Sequence, residues 1–308
     1  MLLHPIWNPN EGIDLGFFEI KFYSMMFVLA FGLGLFIMTK IYKKEGLSEK
    51  QLDSLFVYSI VSILLGARLG HVIFYQSELF KEDFFSVFLP FSFKDGIKFT
   101  GFAGLASHGA AIVMIIGMYI YSKKVIFKNP LWILDRVVLP VSLGAFFVRI
   151  GNFLNSEIVG EETTSQFGIK FLRHSIDKYE AMRLTGIQNV NEAYTELLVN
   201  PKFKNEISRI SALHPSQLYE AIAYVFVFAF LMFLYWKTKN SKKQGYIFGF
   251  FMVLLWGVRF FVEFVKASQG GFEKYPMFNM LTTGQWLSIP MILVGVYLII
   301  TSNKRLVK

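Results

Sequence analysis

Hydrophobic residues fall along this chain into about seven blocks of roughly 17 to 25 residues, separated by polar segments. A helix needs about 20 apolar residues to cross a bilayer, and backbone groups in lipid must pair within their own segment. We place the blocks at Phe18–Met38, Leu52–Tyr75, Thr100–Tyr121, Leu131–Leu154, Ser216–Trp236, Gly245–Lys266 and Gly284–Thr301. The pattern predicts an all-α integral membrane protein with about seven transmembrane helices.

Three segments lie outside these blocks. Phe84–Phe93 contains Pro90 and is too short to span, so we expect an interfacial or re-entrant segment. Residues 172–213 are polar and predict an extracytoplasmic insertion with short helices, for example Asn191–Val199. Met1–Gly16 lacks the pattern of a cleavable signal peptide. We therefore expect a single membrane-embedded domain, 1–308.

Charge supports a membrane topology. The net charge of +9 would be compatible with nucleic acid in a soluble chain, but only 17% of the residues are charged and 54% are hydrophobic. Basic clusters follow the first, third, fifth and seventh blocks: Lys40, Lys43, Lys44, Lys50; Lys123, Lys124, Lys128; Lys237, Lys239, Lys242, Lys243; Lys304, Arg305, Lys308. This positive-inside pattern predicts an amino terminus outside, on the periplasmic side, a cytoplasmic carboxyl terminus and no nucleic-acid partner.

Polar residues within the blocks gather toward one side of the predicted membrane. A charge near the bilayer centre costs about 2.5 to 3.5 kcal/mol, so such residues indicate function or pairing. With the orientation above, the outer ends of the helices carry Tyr23, Arg68, His71, His108, Arg149, Asn152, Asn155, His214, Gln217, Tyr219, Glu220, Arg259 and Glu263. We expect a pocket at the depth of the outer headgroups.

The chemistry of this set favours an anionic phospholipid. Arg149, Asn152 and Asn155 are three residues apart and share a helix face, and an arginine fork beside amides suits phosphate oxygens. Arg259 supplies a second cation, although Arg259 and Glu263 could simply neutralise one another. A lipid or anion transporter and a purely structural membrane protein are the alternatives.

Other polar residues have structural interpretations. His108 could be a packed, hydrogen-bonded histidine, and Arg68 and His71 could reach the outer interface by snorkelling. Asp135 and Arg136 read as an anchor at the cytoplasmic end of the fourth helix. The chain has no cysteine, which excludes disulfides and cysteine-based metal sites.

Several motifs together resemble those of one family. The segment Arg149–Gly160 (RIGNFLNSEIVG) resembles the signature of bacterial prolipoprotein diacylglyceryl transferases. Further segments agree in order: Gly66–Tyr75 (GARLGHVIFY), Gly104–Gly109 (GLASHG), His214–Glu220 (HPSQLYE), Gly257–Phe264 (GVRFFVEF) and the pair Gly284–Gln285. The resemblance covers nearly the whole chain apart from residues 172–213.

The resemblance implies an activity. These enzymes transfer the diacylglyceryl group of phosphatidylglycerol to the lipobox cysteine thiol of a preprolipoprotein signal peptide segment, forming a thioether and releasing glycerol phosphate. This is the first step of lipoprotein maturation, a protein lipidation in the bacterial cell (inner) membrane by a multi-pass enzyme. No metal or organic cofactor is implied; the partners are phosphatidylglycerol, the preprolipoprotein and membrane lipid.

The resemblance also implies roles at the lipid headgroup. Arg149 and Arg259 would hold the phosphate and act in catalysis, while Asn152 and Glu157 would order the headgroup. Glu263 would orient Arg259.

Three further residues complete the implied site. Gly160 would allow tight packing, Tyr23 matches the family's tyrosine in the first helix, and His108 is the candidate base for the thiol. An arginine-rich site could instead lower the pKa of the thiol itself. We expect Arg149, Arg259 and His108 to line one cavity open to lipid.

Four positions depart from the family pattern. Val148 and Ala110 replace glycines, Glu161 stands where a basic residue is common, and Leu213 replaces an arginine. The last two changes remove positive charge near a site for anions. The remaining motif residues favour an active, divergent member.

Overall fold

The computed structural model describes residues 4–16, 19–89, 91–93, 96–99, 104, 106–267 and 280–306. Phe18, Pro90, Thr100 and Lys308 of the sequence analysis lie outside these residues. The helices are α1 Phe22–Lys44, α2 Glu49–Tyr75, α3 Leu79–Glu82, α4 Ser107–Lys124, α5 Pro130–Leu154, α6 Leu172–Ser175, α7 Lys178–Thr185, α8 Val190–Val199, α9 Lys204–Arg209, α10 Ser216–Lys237, α11 Tyr246–Val262 and α12 Thr283–Thr301.

The strands are short and contribute little area. They are β1 Ile6–Trp7, β2 Gly12–Asp14, β3 Glu19–Lys21, β4 Phe91–Ser92, β5 Lys98–Phe99 and β6 Lys170–Phe171. β1 pairs with β6 in parallel, and β2–β3 and β4–β5 are antiparallel pairs.

Five helices in the described residues are long and apolar enough to cross a membrane, namely α1, α2, α5, α10 and α12. α11 is apolar but has only 17 residues, and α4 has 18. The prediction of a mainly helical membrane protein is confirmed at this level, whereas the count of seven spans and the orientation of the chain ends stay predictions.

Several predicted helix bounds differ from the observed ones: α1 ends at Lys44 rather than at Met38, α2 begins at Glu49 rather than at Leu52, and α4 ends at Lys124 rather than at Tyr121. At two further bounds, local backbone geometry overrides the apolar pattern. Gly104 has a φ of +76°, in the left-handed region, and Ala106 is extended, so α4 begins at Ser107 rather than at Thr100. α11 ends at Val262 rather than at Lys266 because the chain then pairs with a distant loop, where the Glu161 N–H donates to the Val265 carbonyl (2.9 Å).

Contacts divide the chain into two compact units, Leu35–Val137 and Met1–Gly34 with Val138–Lys308. In the first unit, α2 and α4 approach closely through glycines. A Cβ on Gly66 would lie 2.5 Å from the Gly109 carbonyl oxygen, and one on Gly70 would lie 2.7 Å from the Gly109 Cα. Small residues at such crossings let helix backbones pack directly in lipid.

Charged residues of the Leu35–Val137 unit have structural partners. Arg68 is buried and does not extend outward, because its guanidinium donates to the carbonyl oxygens of Ser86 (2.7 Å) and Val87 (3.2 Å). Arg136 pairs with Glu45 at 2.8 Å and stacks on a tryptophan ring, which agrees with an anchoring role. Phe84–Val87 forms a single 3₁₀ turn, so this part of the Phe84–Phe93 segment does not span.

The second unit contains a small folded segment, residues 172–213, which we call the head. Its helices α6 to α9 pack around a buried core of Leu172, Ile176, Ala181, Ala193, Tyr194, Leu197, Phe203 and Ile210. The predicted helix Asn191–Val199 is confirmed by α8, which Asn189 caps by accepting from two backbone N–H groups. The strand pair β1–β6 joins the amino-terminal segment to Lys170–Phe171, which directly precede the head.

Candidate active site

The loop that follows α5, residues 155–160, has a strained backbone. Ser156 and Ile158 have φ values of +55° and +56°, in the left-handed region. For a β-branched residue such as Ile158 this is an outlier, and such conformations cost about 1 to 3 kcal/mol each and persist only where the surroundings enforce them. Between the two lies Glu157, whose side chain is exposed.

The start of α10 holds this loop in place. The Ser216 hydroxyl donates to the Ile158 carbonyl (2.8 Å), and the Gln217 amide donates to the Glu157 carbonyl (2.5 Å). The Gly160 N–H donates to the His214 carbonyl at 2.8 Å. The HPSQLYE segment therefore acts as a brace for the strained loop.

Gly160 ends the loop at a point where no side chain fits. A Cβ there would lie 2.6 Å from the His214 Cβ and 2.7 Å from the His214 carbonyl oxygen. The backbone of Gly160 also forms a bridge with Lys266, in the segment after α11. Only glycine allows three chain segments to meet at this distance.

Arg149, in the last turns of α5, faces a buried carboxylate. Its Nε lies 2.8 Å from Glu220 Oε2, and the two side chains are 13% and 1% exposed. The contact lacks hydrogen-bond geometry at that oxygen, so the attraction is mainly electrostatic. The Arg149 guanidinium also donates to the side-chain oxygen of Asn152, Oδ1, at 3.3 Å.

Tyr23 lies against the same turn of α5. Its ring occupies the space beside Gly151, where a Cβ would be 2.6 Å from the Tyr23 Cδ2. Its hydroxyl interacts with the Asn152 side chain and lies within electrostatic range of Glu157 and Arg149. The structure thus brings Tyr23, Arg149 and Asn152 together.

Arg259, in α11, keeps an unused donor. Its Nε is buried and has no hydrogen-bond partner among the described residues, while its guanidinium carbon lies 5.5 Å from the Trp256 ring centroid. The Tyr224 hydroxyl lies within electrostatic range of both Arg149 and Arg259. It also donates to Glu220 Oε1 at 3.4 Å.

Glu263 has partners other than the one expected. Its carboxylate accepts from Lys266 Nζ (3.2 Å) and from the Thr282 hydroxyl (3.0 Å), and it lies directly against Gly284. Orientation of Arg259 by Glu263 stays a prediction. The Lys266 ammonium, 5% exposed on its side chain, was not among the candidates from sequence.

The strained loop and the start of α10 carry buried polar atoms without partners among the described residues. Asn155 Oδ1, Ser156 Oγ and Gln217 Oε1 have no hydrogen-bond partner in the described part of the chain. An unsatisfied buried polar group costs about 1 to 3 kcal/mol, and such groups mark sites where a ligand can supply the missing donor or acceptor. The Asn155 amide donates to the Glu157 carboxylate at 3.3 Å.

His108 is not placed relative to these residues. It is the second residue of α4, in the Leu35–Val137 unit, and its side chain lies outside the described part. The predicted cavity with Arg149 and Arg259 therefore stays a prediction.

Sequence reasoning missed the roles of Ser216, Gln217 and Glu220. It had marked Gln217 and Glu220 as polar residues opening a span, but it assigned neither a partner. The available signal was Glu220 itself, since a carboxylate in the first turns of an apolar helix requires a cation.

Comparison with known proteins identifies the family. Residues 11–301 match the family model described as prolipoprotein diacylglyceryl transferase. Relatives named phosphatidylglycerol–prolipoprotein diacylglyceryl transferase include proteins of Bacteroides fragilis, 33% identical over 99% of this chain and 98% of the relative, and of Porphyromonas gingivalis, 35% identical over 93% and 90%. One of Tolumonas auensis is 31% identical over 97% and 98%. The chain belongs to the prolipoprotein diacylglyceryl transferase family.

Proposed function

We propose that this protein transfers the diacylglyceryl group of phosphatidylglycerol to the lipobox cysteine thiol of a preprolipoprotein. The observation that carries the proposal is the Arg149–Glu220 pair beside the strained loop that presents Glu157. A buried carboxylate fixes the direction of the guanidinium, and a braced loop fixes the position of a second polar group. Such preorganisation is what recognition of a charged headgroup requires.

The two arginines bind the phosphate. A guanidinium has five N–H donors in a planar fork, and Arg149 uses only part of this set on Glu220 and Asn152. Arg259 adds a buried Nε donor without a partner among the described residues. Charge-assisted bonds to phosphate strengthen as the phosphate becomes the leaving group.

The reaction then balances in one displacement. The cysteine sulfur forms a bond to the terminal glycerol carbon of the diacylglyceryl group as the bond from that carbon to the phosphate oxygen breaks. The electron pair passes to the phosphate oxygen, and glycerol phosphate leaves. The thiol proton goes to a base, for which His108 remains the candidate, or is lost to solvent if the arginines lower the pKa of the thiol.

The headgroup glycerol contributes two hydroxyl groups. The exposed Glu157 carboxylate and the buried oxygens of Asn155 and Gln217 are acceptors suited to such donors. Gly151 and Gly160 keep Tyr23 and the loop backbone close to this position.

In the membrane, α4 and α11 complete seven spans with the five longer helices. The basic clusters then face the cytoplasm, and the amino terminus and the head lie on the outer face of the bacterial inner membrane. The chain works as one membrane-embedded domain with the head as an extracytoplasmic insertion.

The purified protein in detergent, incubated with phosphatidylglycerol and a lipobox peptide, tests the proposal. We expect a diacylglyceryl mass gain on the peptide with equimolar glycerol phosphate, both lost in Arg149→Ala and Arg259→Ala. The absence of a mass gain in folded wild-type protein, with several anionic lipids and peptides, would rule out the transferase activity.

A further inference from the structure

A groove begins beside Gly160, where the strained loop ends. Its first part is a cavity of about 430 Å³ lined by Gly160, Glu161, Glu162, His174 and Leu213, together with Val159 and Ala267. A second cavity of about 540 Å³ shares Glu162, His174 and Leu213 with the first and extends along the head. Because they share these three residues, the two cavities are neighbours, and we call them together the head groove.

The floor of the head groove is apolar. Ile176 and Ile210 belong to the core of the head and also line the second cavity, with Leu184 beside them. Leu213 lies where the two cavities join. An apolar floor along an open path suits an extended polypeptide segment, whose alternate side chains can pack there.

The rim of the head groove is acidic. Glu161, Glu162, Glu180 and Glu206 line it, against one guanidinium, Arg209. The protein as a whole has a net charge of +9, so this rim is opposite in sign to most of the chain. Its charge complements a basic segment and disfavours an acidic one.

We propose that the head groove binds the polypeptide segment that follows the acceptor cysteine of the substrate, and that it selects basic over acidic segments. The inference rests on the proposed function, because it takes the cysteine to react beside Arg149. From there the substrate polypeptide passes Gly160, the glycine that ends the strained loop and lines the start of the groove. The segment lies on the head with its side chains between the acidic rims.

Lipobox peptides of one sequence, differing only in three residues after the cysteine, test the selection. With Lys, Ser or Glu at these positions, we expect kcat/KM for the Lys peptide to exceed that for the Glu peptide about tenfold, mainly through KM. The difference should shrink at high salt because the rim is exposed. Equal kcat/KM values for the three peptides would overturn the proposal while leaving the transferase activity established.

Charge reversal on the protein identifies the groove. The double variant Glu161→Lys with Glu206→Lys should invert the preference, so that the Glu peptide becomes the better substrate. Glu161→Lys and Glu206→Lys are also made singly, and Glu192→Lys, on the exposed face of α8 and outside the groove, is their matched control because it changes the charge by the same two units. The control should keep the wild-type preference. An equal shift in the control would assign the effect to net charge and overturn the proposal.

Peptide binding is also measured without turnover. Fluorescence anisotropy of a labelled Lys peptide, with full-length protein in uncharged detergent and no phospholipid, should show binding that the double variant loses. This arm distinguishes failure of the groove from failure of the proposed function, because it needs no transfer. Binding unaffected by the double variant, or self-association of the protein that the double variant abolishes, would overturn the proposal.

Discussion

The pair between Arg149 and Glu220 makes a quantitative prediction for Glu220→Gln. At 2.8 Å, two unit charges attract with about 6 kcal/mol at an effective dielectric constant of about 20. Most of this offsets desolvation, and removal of one partner from a buried pair costs about 3 to 5 kcal/mol. Because glutamine keeps the shape of glutamate and a dipole, we expect the lower end of this range. The free energy of unfolding should fall by about 3 kcal/mol, which thermal unfolding measures.

The same substitution should affect catalysis through Arg149. A guanidinium without its carboxylate is no longer held in one direction, so stabilisation of the leaving phosphate falls. Loss of one well-placed donor costs about 2.7 to 4 kcal/mol, and we expect kcat/KM to fall about 100-fold, chiefly in kcat. Glycerol phosphate release at saturating phosphatidylglycerol measures the split between kcat and KM.

A double-mutant cycle separates positioning from folding. Arg149→Lys and Glu220→Gln should be strongly non-additive in kcat, since both act through one contact, and Glu220→Asp should restore part of the activity. Glu192→Gln, a charge loss on the exposed face of the head, is the control. A Glu220→Gln protein with a lower melting temperature but kcat/KM within twofold of wild type would refute the positioning role.

Three further substitutions test the packing around the loop and in the head. Gly151→Ala places a Cβ 2.6 Å from the Tyr23 ring, and should lower kcat/KM more than tenfold, whereas Gly32→Ala, where a Cβ meets nothing within 4 Å, should not. Gly160→Ala sets a Cβ 2.7 Å from the His214 carbonyl oxygen. This overpacking should cost about 1 to 3 kcal/mol, so both the melting temperature and the activity should fall. Burial raises the pKa of Tyr194 to about 12, so its stabilising contribution is complete below about pH 10 and is lost as the pH rises through 12. Tyr194→Phe, which loses a 2.7 Å bond to a backbone carbonyl, should cost about 1 kcal/mol at neutral pH and weaken the alkaline loss of stability in pH-dependent thermal unfolding.

The sequence predicted those elements whose formation depends on local pattern. α5 and α10 begin and end within one residue of their predicted bounds, because a long apolar run in lipid must form a helix. α8 was found from its short amphipathic pattern. Arg149 and Asn152 were expected to act together because three-residue spacing places them on one helix face, and the structure joins them by a hydrogen bond.

Features that depend on distant backbone contacts could not be predicted in this way. Phe264 and Val265 are apolar and extend the hydrophobic block beyond Val262. The helix nevertheless ends at Val262, because the Val265 carbonyl accepts from the N–H of the distant Glu161. Glu263 was paired with Arg259 because helical spacing places them on one face. The structure adds two partners that helical spacing does not predict, since the carboxylate accepts from Lys266 and Thr282, and the pairing with Arg259 stays a prediction.

The motif Arg149–Gly160 packs against the HPSQLYE segment, His214–Glu220, and the contacts between them account for the strained loop. Two left-handed residues, Ser156 and Ile158, cost about 1 to 3 kcal/mol each, and a hydrogen bond returns only about 1 kcal/mol. The bonds from Ser216 and Gln217 can therefore offset the strain only in concert with the ion pair of Glu220. Such strain persists only where the surroundings enforce it, and we predict that the direction of the exposed Glu157 carboxylate matters for function. We therefore predict that the HPSQLYE segment is needed for headgroup recognition because it holds the loop, whether or not its side chains contact the lipid.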